Sequence, residues 1–562
     1  MKEALRFFLP NSLWLATGAR AACAFRHALK HPRRAQERRL LSLLRQNAAT
    51  NYGERYGFQR LRSVREYQDA VPIVTYDSLE HEIDRIKRGE LSVLTQEPVL
   101  MLEKTTGSTS AAKYIPYTAS LKREFQVAVA AWMADLYIHR PRMLCGGTYW
   151  SVSPLARKRE VTEGGLPVGF DDDTEYFGGV ERWLLERFLL TPPELSQILD
   201  IATSRYVTLR FLLESPRLSF ISVWNPSFLA LLIRFLWEHA DRLNEDIRRG
   251  TLNAPQPLPD NLYQCLSRKL RPQPKRADEL KKIVKEHGTL LPSKIWPKLS
   301  VISCWTSASA SLFLPELKSL FPEVEIQSKG LLATEGVISI PLAGHAGAAL
   351  AITSHFLEFV DDERPTVRPL LVDELETGRN YSVVISTGGG LYRYALGDRI
   401  QVVGRVQETP LIEFIGKGDL VSDLCGEKLH EAHVRRIIEK LLSDFQLQPT
   451  FAMMAPEWGQ PPAYVLFLEA PLSSSRILEN LASRLEAELL ENHQYAYCRR
   501  LGQLGPARAA RATSRASELY LERCASLGQR PGSIKPTALH AKSGWSEWFG
   551  VANLEAIHRE AG

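Results

Sequence analysis

The sequence has few cysteines, and their arrangement excludes two common uses of this residue. Its 562 residues contain seven cysteines, an odd number, and none of them forms a C-x-x-C pair. A disulfide framework or a zinc site built on paired cysteines is therefore not expected, and free thiols are typical of a reducing compartment. We predict a cytoplasmic protein.

Long hydrophobic runs are also missing. The apolar stretch at the start of the chain is interrupted by Pro10, Asn11 and Arg20, whereas a helix that crosses a membrane needs about 20 consecutive apolar residues. We therefore expect no contact with a membrane, and we interpret the stretch as a helical lead-in rather than a signal peptide.

An excess of charge of one sign is missing as well. The chain has 70 Lys and Arg residues against 64 Asp and Glu residues, which leaves a net charge of +6. Short basic runs such as 33–34 and 38–39 are separated by Glu37, a pattern typical of a solvated helix face. Because no RNA- or DNA-binding motif is found either, nucleic acid is not an expected partner.

Several familiar catalytic motifs are absent too. The sequence contains no G-x-S-x-G, no G-x-G-x-x-G and no H-E-x-x-H. Their absence argues against a serine hydrolase of the commonest type, a dinucleotide-binding domain and a zinc protease. Cys304, within the apolar segment VISCWT, is interpreted as a buried hydrophobic residue rather than as a nucleophile.

The pattern along the chain predicts two domains of mixed α/β type. A chain of this length is too long for one ordinary core. Residues 1–95 indicate helices, one of them capped by Asp77, running to Lys87 and ended by Gly89, and a longer helix is predicted from Ala119 to Tyr137. Strand-like segments then alternate with helices, which is typical of an α/β domain.

The predicted secondary structure changes twice in the second half of the chain. Short strand-like segments dominate residues 340–415, with the triple glycine 388–390 suited to a tight turn between two strands. After residue 418 the pattern becomes helix, strand and helix. We place a domain boundary near 418–423.

One candidate site is the segment 105–113, TTGSTSAAK, in which hydroxyl side chains surround a glycine and a lysine follows. Backbone N–H groups in such a turn form an anion-binding concavity, and hydroxyls add donors for a phosphate. It is not a Walker A loop, because it lacks the second glycine. By itself such a segment is more often an ordinary polar loop.

Two acidic positions complete the set of candidates. Glu335 follows an apolar run and Thr334, and a carboxylate there can hold Mg²⁺ or can simply be a surface residue before a turn. Asp398 ends the segment YRYALGD, where an aspartate after glycine at a strand end can accept ribose hydroxyls. The residues of that segment are also compatible with an ordinary strand.

In this order along the chain, the three segments resemble the motifs of the adenylate-forming superfamily. The closer resemblance is to the Gretchen Hagen acyl-acid amido synthetases, which conjugate auxin and jasmonate to amino acids, and a bacterial type of member is indicated. Residues 105–113 match that family's phosphate loop, Thr334-Glu335 its second motif, and residues 392–398 its Tyr-Arg-Tyr, Gly-Asp motif. The resemblance covers almost the whole chain.

The resemblance implies a large adenylate-forming N-terminal domain, with β-sheets flanked by helices, over residues 1–418. It further implies a hinge at 419–422, with Asp419 as the pivot, and a small mobile α+β lid domain over 423–562. It implies an ATP- and Mg²⁺-dependent ligase. Such an enzyme activates a small carboxylic acid as acyl-AMP and transfers the acyl group to an amine, expected to be an amino acid.

Roles for individual residues are carried over from the same resemblance. Lys535 is the expected catalytic lysine of the lid, and Glu335 is the expected Mg²⁺ ligand and a second catalytic residue. Leu331 stands where relatives carry an aromatic residue against adenine. The expected ATP-binding residues are Thr106, Gly107, Ser108, Thr109, Ser110, Lys113, Thr334, Asp398 and Lys417. The expected acyl-pocket residues, which lie on segments that should border the pocket, are Trp224, Trp305, Thr306 and Ser307.

Two alternatives stay open at the level of sequence. An acyl-CoA ligase shares the adenylation step but delivers the acyl group to a thiol. A non-catalytic binding protein could keep the fold, although Glu335, Asp398 and Lys535 argue against this, because a degenerate site should lose its charged groups first.

Overall fold

The computed structural model describes residues 2–105, 113–151, 160–169, 179–364, 368–417, 421–422, 424, 427–459, 461–471, 475–500, 502–527, 529 and 534–551. Within these ranges no helix is both long enough and apolar enough to cross a membrane. The elements up to Lys87 are helices, and helices and strands are interspersed from Met101 onward, as predicted for an α/β protein with a helical N-terminal part.

The described helices are α1 (Lys2–Ala28), α2 (Pro32–Gln46), α3 (Asn51–Arg55), α4 (Val64–Ala70), α5 (Tyr76–Lys87), α6 (Ala119–His139), α7 (Gly179–Phe188), α8 (Ile201–Glu214), α9 (Pro226–Glu238), α10 (Ala240–Arg249), α11 (Asp260–Ser267), α12 (Pro274–His287), α13 (Pro292–Ile295), α14 (Leu314–Leu320), α15 (Glu431–Asp444), α16 (Ser475–Leu489), α17 (His493–Arg500), α18 (Ala516–Ser526) and α19 (Trp545–Trp548).

The described strands are β1 (Met101–Thr105), β2 (Lys113–Tyr117), β3 (Gly147–Trp150), β4 (Glu160–Val161), β5 (Pro167–Val168), β6 (Leu218–Ser222), β7 (Val301–Cys304), β8 (Glu325–Ser328), β9 (Leu332–Ala333), β10 (Gly336–Val337), β11 (Ser339–Pro341), β12 (Ala348–Leu350), β13 (Phe356–Asp361), β14 (Asn380–Ser386), β15 (Tyr394–Val406), β16 (Thr409–Lys417), β17 (Val421–Ser422), β18 (Leu429–His430), β19 (Phe451–Glu457), β20 (Ala463–Glu469) and β21 (Arg508–Arg511).

Local capping explains where the first helices begin. The side chains of Thr50 and Ser63 accept hydrogen bonds from backbone N–H groups in the first turns of α3 and α4. The prediction that Asp77 caps α5 is wrong: Thr75 occupies the cap position in extended backbone, and Asp77 is the second residue of the helix, within its first turn. Its negative charge still stabilises the positive end of the helix dipole there.

A four-stranded parallel sheet, in the order β3-β6-β7-β8, forms the centre of the N-terminal half. Its two central strands, β6 and β7, are buried along their whole length, and residues of α8 and α9 pack with them in one hydrophobic core. All four carboxyl ends meet at one edge, which Ser222, Cys304 and Ser328 mark. In open α/β sheets this is the edge where ligands bind.

A six-stranded antiparallel sheet, in the order β11-β12-β16-β15-β14-β13, follows. The predicted turn at the triple glycine is confirmed, since residues 388–390 connect β14 to β15. Gly390 has a φ of +92°, and a Cβ at this position would lie 2.7 Å from the Cβ of Leu94. A larger residue would therefore be both strained and overpacked.

The C-terminal part forms a separate unit around the three-stranded sheet β19-β20-β21. One face of this sheet packs on α15 and α16 in a hydrophobic core of its own that includes Val434, Leu466 and Leu485. The opposite face packs in a cluster with Trp545 that also takes in Phe313 of the N-terminal half. The boundary near 418–423 and the hinge at 419–422 stay predictions, because residues 418–420, including Asp419, lie outside the described residues.

Candidate active site

The predicted phosphate loop is held at the tip of the β1–β2 hairpin. These strands pair antiparallel up to Thr105 opposite Lys113, so the two ends of the loop are adjacent. The Nζ atom of Lys113 lies 5.8 Å from the ring centroid of Tyr76. The Tyr76 hydroxyl accepts a hydrogen bond from the backbone N–H of Tyr114 at 2.9 Å. The loop residues that lie outside the described residues are Thr106, Gly107, Ser108, Thr109 and Ser110.

Thr334 and Glu335 form the two-residue turn of a small hairpin between β9 and β10, in which Ala333 pairs with Gly336. Glu335 is buried, with 9% of its surface exposed. The hydroxyl of Tyr117, the last residue of β2, donates a hydrogen bond to the carbonyl of Thr334 at 2.5 Å. This contact joins the phosphate-loop hairpin directly to the second predicted motif.

The turn is secured by two residues that sequence reasoning did not single out, His355 and Glu124. The Nε2 atom of His355 accepts a hydrogen bond from the backbone N–H of Val337 at 2.9 Å, and its Nδ1 lies 2.7 Å from Oε2 of Glu124. Because Nε2 accepts a hydrogen bond, the neutral ring carries its proton on Nδ1. The Nδ1–H group then donates a hydrogen bond to the carboxylate of Glu124. A Cβ on Gly336 would lie 2.7 Å from Nε2, which explains the glycine of the motif.

Glu124 extends this connection to the triple-glycine turn, which precedes the third motif. Its carboxylate accepts hydrogen bonds from the backbone N–H of Gly388 at 2.9 and 3.1 Å, and it forms an ion pair with Arg39. Burial, assisted by the charge of Arg39, lowers the pKa of His355 to about 3, so its imidazole is neutral near pH 7. In the sequence, the signal that could have pointed to Glu124 is its position as a carboxylate on the mostly apolar face of α6.

Asp398 lies inside β15, which corrects the prediction that it ends a strand. Gly397 has a φ of +77°, and the register of β15 against β14 shifts between Ser382 and Val384. The strand therefore bulges at residues 396–398, and bulges of this kind redirect side chains near active sites. Asp398 is 1% exposed and pairs in register with Lys417, whose side chain lies outside what the structure describes.

The two predicted acidic residues lie near one phenol, that of Tyr394. Burial raises the pKa of Tyr394 well above its ordinary value, and the negative charges of Glu335 and Asp398 raise it further. The geometry agrees, because a Cβ on Gly336, the residue after Glu335, would lie 2.7 Å from Cδ1 of Ile385, which pairs in register with Tyr394. The second and third motifs are neighbours in space although they are far apart in the chain.

The remainder of the Tyr-Arg-Tyr segment is structural. The guanidinium of Arg393 pairs with Glu358 at 3.1 Å and donates to the carbonyl of Gln68 at 2.7 Å. Tyr392 donates to the carbonyl of Leu94 at 2.8 Å. These buried contacts attach the N-terminal helices to the strand that carries Asp398.

The predicted acyl-pocket residues are brought together at the carboxyl edge of the parallel sheet. Trp224 follows β6 and Trp305 follows β7, with ring centroids 5.6 Å apart and a backbone hydrogen bond of 2.8 Å between them. Both rings are half-buried, as are Thr306 and Ser307. Burial raises the pKa of the nearby Cys304 thiol to about 12, in agreement with a buried hydrophobic residue. Leu331 is packed in the main hydrophobic core, and its expected role against adenine stays a prediction.

Lys535 reaches this edge from the C-terminal domain. Its side chain is exposed, and its Nζ lies 5.2 Å from the ring centroid of Trp305 and 5.9 Å from that of Phe414. Its backbone carbonyl accepts a hydrogen bond from Tyr520, and the preceding carbonyl accepts one from Asn225 of the N-terminal half. Phe414 lies on β16, the strand paired with the one that carries Asp398.

A large α/β domain followed by a separate C-terminal domain is the architecture that the resemblance to the adenylate-forming class implies. The sequence matches the GH3 family N-terminal domain over residues 22–326, the central domain over 348–417 and the C-terminal domain over 431–543. The chain belongs to the GH3 family.

Known proteins similar to this chain agree with the assignment. The chain is 25% identical to indole-3-acetic acid-amido synthetase GH3.10 of Arabidopsis thaliana, over 86% of this chain and 88% of the relative. It is 24% identical to jasmonoyl–L-amino acid synthetase JAR4 of Nicotiana attenuata, over 81% and 82%. The solved structure of the acyl acid amido synthetase AtGH3.15 in complex with 2,4-DB superposes with a TM-score of 0.79, at 20% identity, over 96% and 94%.

These comparisons confirm the family, the fold class and the class of enzyme predicted from the sequence, an acid–amino acid ligase. The roles of individual residues, the domain boundaries, the mobility of the C-terminal domain and the bacterial type of the member stay predictions.

Proposed function

We propose that this protein is an ATP-dependent acyl-acid amido synthetase with two half-reactions. In the first, a carboxylate oxygen of the acyl substrate attacks the α-phosphorus of ATP, and pyrophosphate leaves. In the second, the neutral amine of an amino acid attacks the acyl carbonyl, loses a proton, and AMP leaves with the electrons of the broken bond. Membership of the GH3 family and the names of its relatives support this assignment.

The ATP site of the proposal combines the three motifs. Asp398 accepts the ribose hydroxyls, and Lys417, on the paired strand, is a second contact for the ribose. The residues of the phosphate loop and Thr334 donate to the phosphates. The contact between Tyr117 and the carbonyl of Thr334 supports a common site, because it joins the loop hairpin to the Glu335 turn.

Glu335 is the proposed protein ligand of Mg²⁺. This ion usually keeps several waters and is bound by one or two carboxylates together with the phosphates of its nucleotide, rather than by a cage of protein ligands. A single buried carboxylate beside the phosphate-loop hairpin fits that requirement. Mg²⁺ would neutralise phosphate charge there, and Glu335 would orient it.

Lys535 stabilises the negative charge that develops on the α-phosphate during adenylation. A preorganised cation in a site of low dielectric lowers the barrier most where charge appears in the transition state. Because the lysine belongs to the C-terminal domain, its action depends on how that domain is placed. A rotation of the domain after adenylation would withdraw Lys535 and admit the amine.

The acyl substrate lies against Trp224 and Trp305, with Thr306 and Ser307 as polar contacts. Two half-buried indole rings suit an aromatic or cyclic carboxylic acid. The reacting carboxylate is then directed toward Lys535, which contacts Trp305.

One observation carries the proposal further than the family assignment: the ammonium of Lys535 lies 5.2 Å from the ring centroid of Trp305, a proposed acyl contact, and 5.9 Å from that of Phe414, on the strand paired with that of Asp398. A lysine that joins the two substrates is what adenylation requires. The cytoplasm, predicted from the free thiols, remains the proposed location.

Carboxylate-dependent exchange of pyrophosphate into ATP tests the first half-reaction across a panel of acids. AMP release with a panel of amino acids, and separately with coenzyme A, tests the second. We expect exchange with a subset of the acids and AMP release that depends on an amino acid. Release that depends on coenzyme A would identify an acyl-CoA ligase, and no exchange with any acid would contradict a ligase altogether.

A further inference from the structure

Lys329 is a buried lysine at the carboxyl edge of the parallel sheet, next to the proposed acyl pocket. It directly follows β8, and its backbone N–H donates to the carbonyl of Cys304 at 3.1 Å. Its side chain turns inward: the residue is 5% exposed, and its Nζ donates to the hydroxyl of Ser222 at 2.6 Å. Lysine is rarely buried to this degree, because desolvation of an ammonium is costly.

Two tryptophans surround this ammonium. The Nζ of Lys329 lies 4.9 Å from the ring centroid of Trp224 and 5.4 Å from that of Trp132. Trp132 is itself anchored, because its indole N–H donates to the side chain of Gln327 at 2.9 Å. The cation is therefore preorganised by a hydroxyl and by the faces of two rings.

Lys329 and Lys535 lie at the two ends of the same aromatic pair. Trp224 contacts Lys329, Trp305 contacts Lys535, and the two rings contact each other at 5.6 Å. The Lys535 end is the reacting end, since Phe414 and the nucleotide side adjoin it. An acid that lies along the tryptophans with its reacting carboxylate toward Lys535 has its far end toward Lys329.

We propose that Lys329 binds the far end of the acyl substrate, and that the preferred substrates are cyclic or aromatic acids with a second carboxylate at that end. The inference rests on the proposed function and adds a substrate class to it. Ligand sites of this type combine apolar walls with a few fixed polar groups that set orientation and specificity. Ser222 and the two indoles keep the ammonium in place, and a carboxylate is the group it would attract most strongly.

The test compares acids that differ only at the far end. We would measure kcat/KM for pyrophosphate exchange with 3-phenylpropanoate, 3-(4-hydroxyphenyl)propanoate and 3-(4-carboxyphenyl)propanoate. The wild-type protein should prefer the carboxy-substituted acid over the unsubstituted one by about tenfold to a hundredfold. The hydroxyl-substituted acid should be intermediate.

Two variants then assign the preference to the residue. Lys329→Met keeps the length of the side chain and removes the charge, so the ratio of kcat/KM between the carboxy-substituted and the unsubstituted acid should fall to about one. Lys318→Met removes an ammonium from an exposed position on α14 and should keep the wild-type preference. Lys329→Gln is the second variant to use if the methionine variant folds poorly. It retains a hydrogen-bond donor without the charge, so it should keep a preference for the hydroxyl-substituted acid over the unsubstituted one.

The outcomes separate the two levels of the proposal. Exchange without any preference in the wild-type protein, or a preference that survives Lys329→Met, would overturn the role of Lys329 and leave the ligase assignment intact. In the AMP-release assay, a defect of Lys329→Met confined to the KM of the amino acid would also overturn it, because Lys329 would then bind the carboxylate of the second substrate. No exchange with any acid would remove the proposed function together with this inference.

Discussion

Substitution of His355 by asparagine and by glutamine should separate the position of the Glu335 turn from the stability of the core. The histidine makes one hydrogen bond through each ring nitrogen, to Val337 at 2.9 Å and to Glu124 at 2.7 Å. A glutamine can place its amide oxygen near the position of Nε2, and so keep the bond to Val337. An asparagine can place its amide nitrogen near that of Nδ1, and so keep only the bond to Glu124.

The two variants should lose similar amounts of stability. Each leaves one buried polar group without its partner, which costs about 1–3 kcal/mol, and both His355 and Glu124 are almost fully buried. Their activities should differ, because only the asparagine variant releases the strand that follows Glu335. We expect it to lower pyrophosphate exchange at limiting Mg²⁺ by about tenfold to a hundredfold, the usual result of a misplacement on the order of 1 Å. The glutamine variant should stay within about threefold of wild type.

The assay is pyrophosphate exchange as a function of Mg²⁺ concentration, with thermal midpoints measured in parallel. His287→Asn, at an exposed position near the end of α12, is the matched control and should change neither quantity. Equal losses of activity in the two His355 variants, in proportion to their losses of stability, would show that the residue is structural only. A more active asparagine variant would refute the reasoning.

Four further predictions concern the proposed site and its pH dependence. Asp398→Asn should raise the KM for ATP or lower kcat/KM about tenfold to a hundredfold, through loss of about 1.5–3 kcal/mol at the ribose; wild-type kinetics at low ATP would exclude that role. Glu335→Gln should lose Mg²⁺-dependent exchange at an unchanged thermal midpoint, and undiminished exchange at limiting Mg²⁺ would remove it from the metal site. Lys535→Ala should slow adenylation by on the order of 10²–10³ but transfer pre-made acyl-AMP to amine at a near wild-type rate, and equal losses in both steps would contradict its assignment. Because burial lowers the pKa of His355 from 6.5 to about 3, the unfolded chain binds the extra proton between these values, so the free energy of unfolding should fall by about 1.4 kcal/mol per pH unit below pH 6.5; His355→Gln should flatten this slope in denaturant titrations, and an identical slope would contradict it.

The parts of the protein that could be predicted from sequence are those that depend on residues close together in the chain. The triple-glycine turn, the helical N-terminus and the α/β texture follow from local backbone preferences and from the spacing of apolar residues. The Thr334-Glu335 and Tyr-Arg-Tyr, Gly-Asp motifs identified the family for the same reason, since each is a short run with a defined composition. The cap of α5 was missed because Thr75 and Asp77 are both acceptable cap residues, and only the backbone conformation distinguishes them.

Tertiary structure alone decided which distant residues support these motifs. His355 and Glu124 are separated by 231 positions and share no motif, yet their hydrogen bond joins the Glu335 turn to the triple-glycine turn. Nothing in the sequence distinguishes Lys329 from other lysines, and only the tertiary structure shows that its ammonium lies near Trp132 and Trp224. The physical reason is the same for both: the cost of burying a polar group depends on what surrounds it in space, and sequence order does not contain that information.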